Sequence, residues 1–182
     1  RLVEVAGGTA IAAMPNLTRP LISLDRCQEY LALADGLGSA VNFYVHIGLT
    51  PDLEQVKRAI DAYHQEPRII GMKAYWGKST GDLSIVTEED QCLVLETLAR
   101  EGYDGVLVSH CEKEDLMRDY WYEPGNPITW STLCRPEEAE IASFNDVLKM
   151  AETAGFAGTI HVAHVSTTEV VDHIASYKGP LK

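Results

Sequence analysis

Lys73, His110 and His164 each stand at or just past the end of an apolar, β-branched stretch of the sequence, where a strand would give way to a loop. Residues at that address converge on one end of a parallel sheet, the end where barrel enzymes keep their sites. Imidazole is the commonest metal ligand near neutral pH, and two imidazoles with one further donor can hold zinc. A lone histidine at a strand end is nevertheless more often a structural residue. A lysine there is ordinarily a solvated or paired cation, and an ammonium has donors but no lone pair to offer a metal. Spacing alone leaves both readings open. Cys111, next to His110, could be a nucleophile or a passive neighbour, and the passive reading is the simpler one. The other cysteines, Cys27, Cys92 and Cys134, form no C-x-x-C pair with it or with each other. That argues against a thiolate zinc site or a disulfide framework and fits a reducing, cytoplasmic setting.

The elements that must position these residues alternate. Apolar stretches recur at Thr9 to Met14, Ala40 to Ile47, Ile69 to Tyr75, Gly105 to Ser109 and Gly158 to Ala163. Helical periodicity fills the intervals. Leu24, Cys27, Tyr30, Leu31 and Ala34 share one helix face, and Leu53, Val56 and Ile60 another. Thr87 before Glu88-Glu89-Asp90 predicts an N-cap with an acidic first turn, and Gly102 a stop after Arg100. Further helices are predicted from Pro136 to before Gly155 and from about Thr167. Strict alternation implies an α/β protein with a parallel sheet. No G-x-G-x-x-G or P-loop follows any strand, which weakens the doubly wound, nucleotide-binding option. The longest connections, Trp76 to Val86 and Cys111 to Arg135, follow strands, as the site-bearing loops of a (β/α)8 barrel do. About five parallel strands of such a TIM-type barrel are counted, against eight in roughly 250 residues for a whole one. The 182 residues are therefore expected to form one domain, the central part of a barrel, with its first and last strands missing and both ends cut.

Composition narrows the partners. Net charge is −12, and the basic residues are few and scattered, so nucleic acid is not an expected partner. No apolar run approaches the roughly 20 residues of a spanning helix. His46, His64, His161 and His173 are expected to be structural or surface residues. Glu112 could orient the site or be a solvated loop acid. Trp76, Trp121, Tyr122 and Trp130 fall in long loops, where they would line the mouth or anchor the loops.

Four stretches carry a resemblance. Gly7-Gly8-Thr9 through Met14-Pro15-Asn16-Leu17-Thr18-Arg19-Pro20 resembles the "GG-T-apolar-MPNT-x-P" segment of dihydroorotases and their relatives. Gly71-Met72-Lys73-Ala74-Tyr75 resembles their "G-x-K-x-Y" strand. Ser109-His110-Cys111-Glu112 resembles the "H-[AC]-E" strand end, and His161-Val162-Ala163-His164-Val165-Ser166 the "H-I-x-H-V-S" stretch. The four occur in family order and together resemble the cyclic-amidohydrolase branch of the amidohydrolase superfamily.

The resemblance implies a zinc-dependent hydrolase of cyclic amides, with dihydroorotate and N-carbamoyl-aspartate as the small-molecule pair, in de novo pyrimidine biosynthesis. It implies two Zn2+ ions per site bridged by a carbamylated Lys73, with His110 and His164 on the second ion. Carbamylation turns the ammonium into a carboxylate-like anion, which meets the objection raised above. Asn16 would contact substrate, and Ser79 and Thr80 would belong to a hydroxyl-bearing loop over it. The family's H-x-H pair, its substrate-binding arginine and its general acid/base aspartate have no match in these residues, so catalysis by the chain alone is not expected. A homo-oligomer, or association with the rest of an enzyme, is expected. A hydantoinase or allantoinase, sharing the same ligands, is the alternative within the class. A non-catalytic homologue serving as a scaffold is the alternative outside it.

Overall fold

The computed structural model describes residues 2–78 and 83–181. A short helix α1 (Leu2–Val5) precedes β1 (Ala10–Ala13), α2 (Leu24–Asp35), β2 (Asn42–Gly48) and α3 (Leu53–Gln65). Then come β3 (Ile69–Trp76), α4 (Glu88–Arg100), β4 (Val106–Cys111), α5 (Glu137–Ala154), β5 (Thr159–Val162) and α6 (Thr168–Ser176). The five strands form one sheet in the order β1-β2-β3-β4-β5, every pair parallel. A doubly wound sheet reverses its strand order at a switch point; this one does not. Same-handed crossovers along an unreversed order lay successive helices on one face, the arrangement of part of a barrel wall.

Capping sets several helix ends. The Thr87 hydroxyl accepts from the Asp90 N–H at 3.1 Å at the start of α4. Gly155 closes α5 with φ 68°, a left-handed conformation that costs glycine least. Val45, Ile47, Met72, Ala74, Trp76 and Leu107 pack with Leu31, Val56, Ile60, Val94, Leu98 and Val147 of the helices in one buried cluster. Successive side chains on a strand alternate faces, so Lys73, Tyr75 and His110 fall on the face away from that cluster.

The strands end differently from their apolar runs. β3 continues to Trp76 and β4 to Cys111, because Tyr75 pairs with His110 and Trp76 with Cys111. Lys73 and His110 therefore sit inside strands rather than at or past their ends. Trp76 belongs to the core at 1% exposure and not to a loop. Trp121, Tyr122 and Trp130 do fall in the β4–α5 connection, whose Trp130–Cys134 stretch is a π-helical turn. Ser79 and Thr80 lie outside the described residues.

Candidate metal and substrate site

Lys73, His110, His164 and Asn16 line a single cavity of about 510 Å³, together with Met14, Tyr75, Trp130 and Arg135. Lys78 and Asp119 also reach it. Asn16, Lys73, His110 and His164 come from four elements, the turn after β1, strands β3 and β4, and the turn after β5, and the β4–α5 connection adds Asp119, Trp130 and Arg135. Pairing fixes the neighbours, since Lys73 stands opposite Val108 and Tyr75 opposite His110.

Lys73 is 2% exposed, and its Nζ has no hydrogen-bond partner among the described residues. The Tyr75 ring lies close to it, 4.5 Å from Nζ to centroid. Burial holds the amine down to about 8, opposed by the charge of Cys111. A buried polar group without a partner costs free energy, and among the buried unpartnered atoms of the described residues Nζ is the one that belongs to a lysine ammonium.

The two histidines meet. Nδ1 of His110 lies 2.9 Å from Nε2 of His164, and the rings cross edge to face. His164 follows β5 directly and takes φ 41°, an uncommon conformation outside glycine. That turn aims the ring back over β4 instead of letting it follow the strand. Burial first, and then the neighbouring His110, lower the His164 pKa, which favours the neutral, metal-binding form.

Two carboxylates stand behind these rings. Glu112 Oε2 is 2.7 Å from Nε2 of His110 and is also paired with Arg135 Nη1. Burial alone would raise its pKa, but the hydrogen bonds and charges of His110 and Arg135 outweigh that and hold it to about 2. Glu112 is thus in contact with His110 and is not a free loop acid, the other reading the sequence left open. Glu140, on α5, receives the backbone N–H and hydroxyl of both Ser166 and Thr167 at 2.7–3.1 Å. It thereby ties down the turn that carries His164. Nothing in the sequence marked Glu140, which reads as one more acid in the first turn of a helix.

The remaining residues keep modest roles. Cys111 is buried, and burial pushes its thiol up to about 12, far from a nucleophile's range. His46 is 8% exposed on β2, with Nδ1 unpartnered among the described residues, and is not among the residues lining the cavity. Among the described residues, no cluster of three or more His, Cys, Asp or Glu side chains is placed to hold a metal ion.

No family model matches the chain. In sequence it is similar to a dihydroorotase of Halobacterium salinarum, 28% identical over 177 residues, covering 97% of this chain and 39% of that protein. In fold it is similar to a D-hydantoinase, with TM-score 0.69 and 17% identity over 93% of this chain and 36% of the other. A dihydroorotase of Saccharomyces cerevisiae, solved with 5-fluoroorotic acid, gives TM-score 0.66 and 19% identity over 97% of this chain and 47% of the other. The chain thus spans less than half the length of each of these relatives. The fold is that of part of a TIM-type (β/α)8 barrel, with five parallel strands in one sheet and helices alternating between them.

Proposed function

We propose that this relative of the dihydroorotases and hydantoinases forms the part of a cyclic amidohydrolase that holds one side of a zinc centre, with dihydroorotate as the substrate class. The observation that carries the reading is the buried Nζ of Lys73, without a hydrogen-bond partner among the described residues, on the same wall as the His110–His164 pair. With a pKa near 8, about a tenth of the amine is uncharged at pH 7, and an uncharged amine adds carbon dioxide. The new N–C bond gives a carbamate and releases one proton, so a cation that repels metal becomes an anion that binds it.

The donor set fits zinc. Tetrahedral ligation at 2.0–2.1 Å puts two imidazole nitrogens about 3.3 Å apart, so the pair at 2.9 Å needs to open by a few tenths of an ångström. His110 and His164 would hold one ion, and carbamylated Lys73 would bridge to a second. When bound, the metals supply an activated water and polarise the amide carbonyl. The chain's own part is to aim the imidazoles, Glu112 by its contact with His110 and Glu140 by tying down the turn that carries His164, and to meet substrate at Asn16. Ser79 and Thr80 are proposed to cover the substrate. A cytoplasmic place in pyrimidine synthesis, and association into an oligomer or with further parts of an enzyme, complete the reading. Among the described residues no helix is long and apolar enough to cross a membrane.

The hydantoinase likeness in fold favours one second reading, ring-opening of a hydantoin. The intact protein carrying this chain, assayed on dihydroorotate and on hydantoin with metal analysis, separates the two. Lys73→Ala and His110→Ala are expected to remove both metal and turnover; wild-type metal content in both variants would refute the site. The 182 residues by themselves contain no H-x-H pair. They are expected to bind zinc weakly and to show no turnover, because an uncarbamylated Lys73 leaves a cation beside the imidazoles.

A further inference from the structure

We propose that Glu112, anchored by Arg135, is a positioning residue that fixes the His110 ring in the tautomer protonated at Nε2, leaving the Nδ1 lone pair facing the cavity. An ionised carboxylate only accepts hydrogen bonds. The nitrogen 2.7 Å from Glu112 Oε2 is Nε2, so Nε2 carries the proton. A neutral imidazole then has its lone pair at Nδ1, the atom that faces His164 Nε2 at 2.9 Å. His164 accordingly donates from Nε2 to His110 in the metal-free chain.

What makes Glu112 more than an incidental partner is how it is held. Arg135 comes from the far end of the long β4–α5 connection, 23 residues away in sequence, and pairs with the same carboxylate oxygen. The Arg135 guanidinium is itself stacked over Trp130, 4.9 Å from its centroid. Side-chain exposure is 18% for Glu112 and 31% for Arg135, so the pair is largely shielded. At Gly77 of the neighbouring loop, a Cβ would run into the Glu112 carbonyl oxygen, so the backbone that carries the carboxylate is hemmed in as well. The aromatic connection over the cavity is thus joined to the imidazole beneath it through one continuous strut, Trp130–Arg135–Glu112–His110. A histidine that binds metal through one nitrogen commonly has the other fixed by a carboxylate in this way.

This deepens the reading of the cavity as a metal centre, but the tautomer exists without metal and is measured without it. The full chain, labelled with 15N-histidine and kept in chelator near pH 8, above the ordinary imidazole range, is read by long-range proton–nitrogen correlation. His110→Asn identifies the His110 signals by their loss. The expected wild-type pattern is a pyrrole-like Nε2 and a pyridine-like Nδ1. Glu112→Ala should shift both nitrogens toward the averaged values of a ring exchanging between tautomers, while the signals of His64 and His173 stay put. Glu112→Gln, which keeps an acceptor oxygen, should restore most of the wild-type pattern. A wild-type His110 protonated at Nδ1, or at both nitrogens, overturns the proposal. So does a Glu112→Ala spectrum unchanged at His110. If Glu112→Ala fails to fold, the wild-type and Gln spectra still decide. Loss of the metal reading, by unchanged metal in Lys73→Ala, would leave these outcomes untouched.

Discussion

Glu140 and Lys73 are both buried charges serving the same cavity, and the fold treats them in opposite ways. Glu140, 9% exposed, is saturated by four donors from Ser166 and Thr167. Lys73, 2% exposed, has no hydrogen-bond partner among the described residues. A buried ionisable group is tolerated when its hydrogen bonds are met and is costly when they are not. The carboxylate is therefore part of what holds the structure together, whereas the amine is a cost, one that the proposed carbamylation would relieve.

Replacing Lys73 breaks the comparison most directly. Its folded-state pKa near 8, against an ordinary 10.5, means that folding disfavours the charged form. The penalty is present in full below about pH 8 and fades as pH rises toward 10.5. A shift of that size corresponds to about 3 kcal/mol. Lys73→Met, in metal-free buffer purged of carbon dioxide, is expected to stabilise the chain by about that much at pH 7 in urea denaturation. Wild-type stability should climb relative to the variant between pH 8 and 10.5. Equal stability at pH 7 would show that the amine has found a partner, and the contrast with Glu140 would vanish.

Glu140→Ala should move stability the other way, by about 2 kcal/mol, since two backbone N–H groups and two hydroxyls lose their acceptor while solvent recovers part of the loss. Gln keeps one acceptor oxygen and should lose about half as much. Burial raises the Glu140 pKa, but hydrogen bonds from Thr167 and Ser166 outweigh it and leave the net shift downward. Its contribution is thus present at neutral pH and is lost as acid protonates the group. Urea midpoints at pH 7 for the three proteins check the order.

That difference also marks what the sequence could disclose. The β-α rhythm, the Thr87 cap and the Gly155 stop are written in neighbouring residues, and the structure follows them. His110 and His164 stand out because short stretches around them match known patterns, and β4 and the turn after β5 do bring them to one cavity. Glu140 meets Ser166 and Thr167 across 26 and 27 residues, and Glu112 meets Arg135 across 23. Such pairs form only once strands have registered and helices have packed, so no local pattern announces them. Strand ends failed for a related reason: Trp76 and His110 are drawn into β3 and β4 by pairing with each other's strand, which hydropathy along one segment does not reveal.

Asn16 offers the smallest effect on stability and the cleanest separation of site from scaffold. It is exposed on the cavity wall, in the turn after β1. The turn itself is held by backbone bonds, from Leu17 N–H to the Pro15 carbonyl at 2.8 Å and from Leu21 N–H to the same oxygen at 3.1 Å. Removing the Asn16 amide therefore leaves the backbone in place, and Asn16→Ala should change stability by no more than about 0.5 kcal/mol. Metal content should also hold, because the Lys73, His110 and His164 atoms come from other elements. What should fall is substrate affinity, by about five- to tenfold, the worth of one neutral hydrogen bond. Titration of the intact protein with substrate, alongside metal analysis, reads both quantities. A collapse of metal content with substrate affinity intact would place Asn16 with Lys73 and the histidines, and the turn after β1 would have to be counted as part of the metal centre.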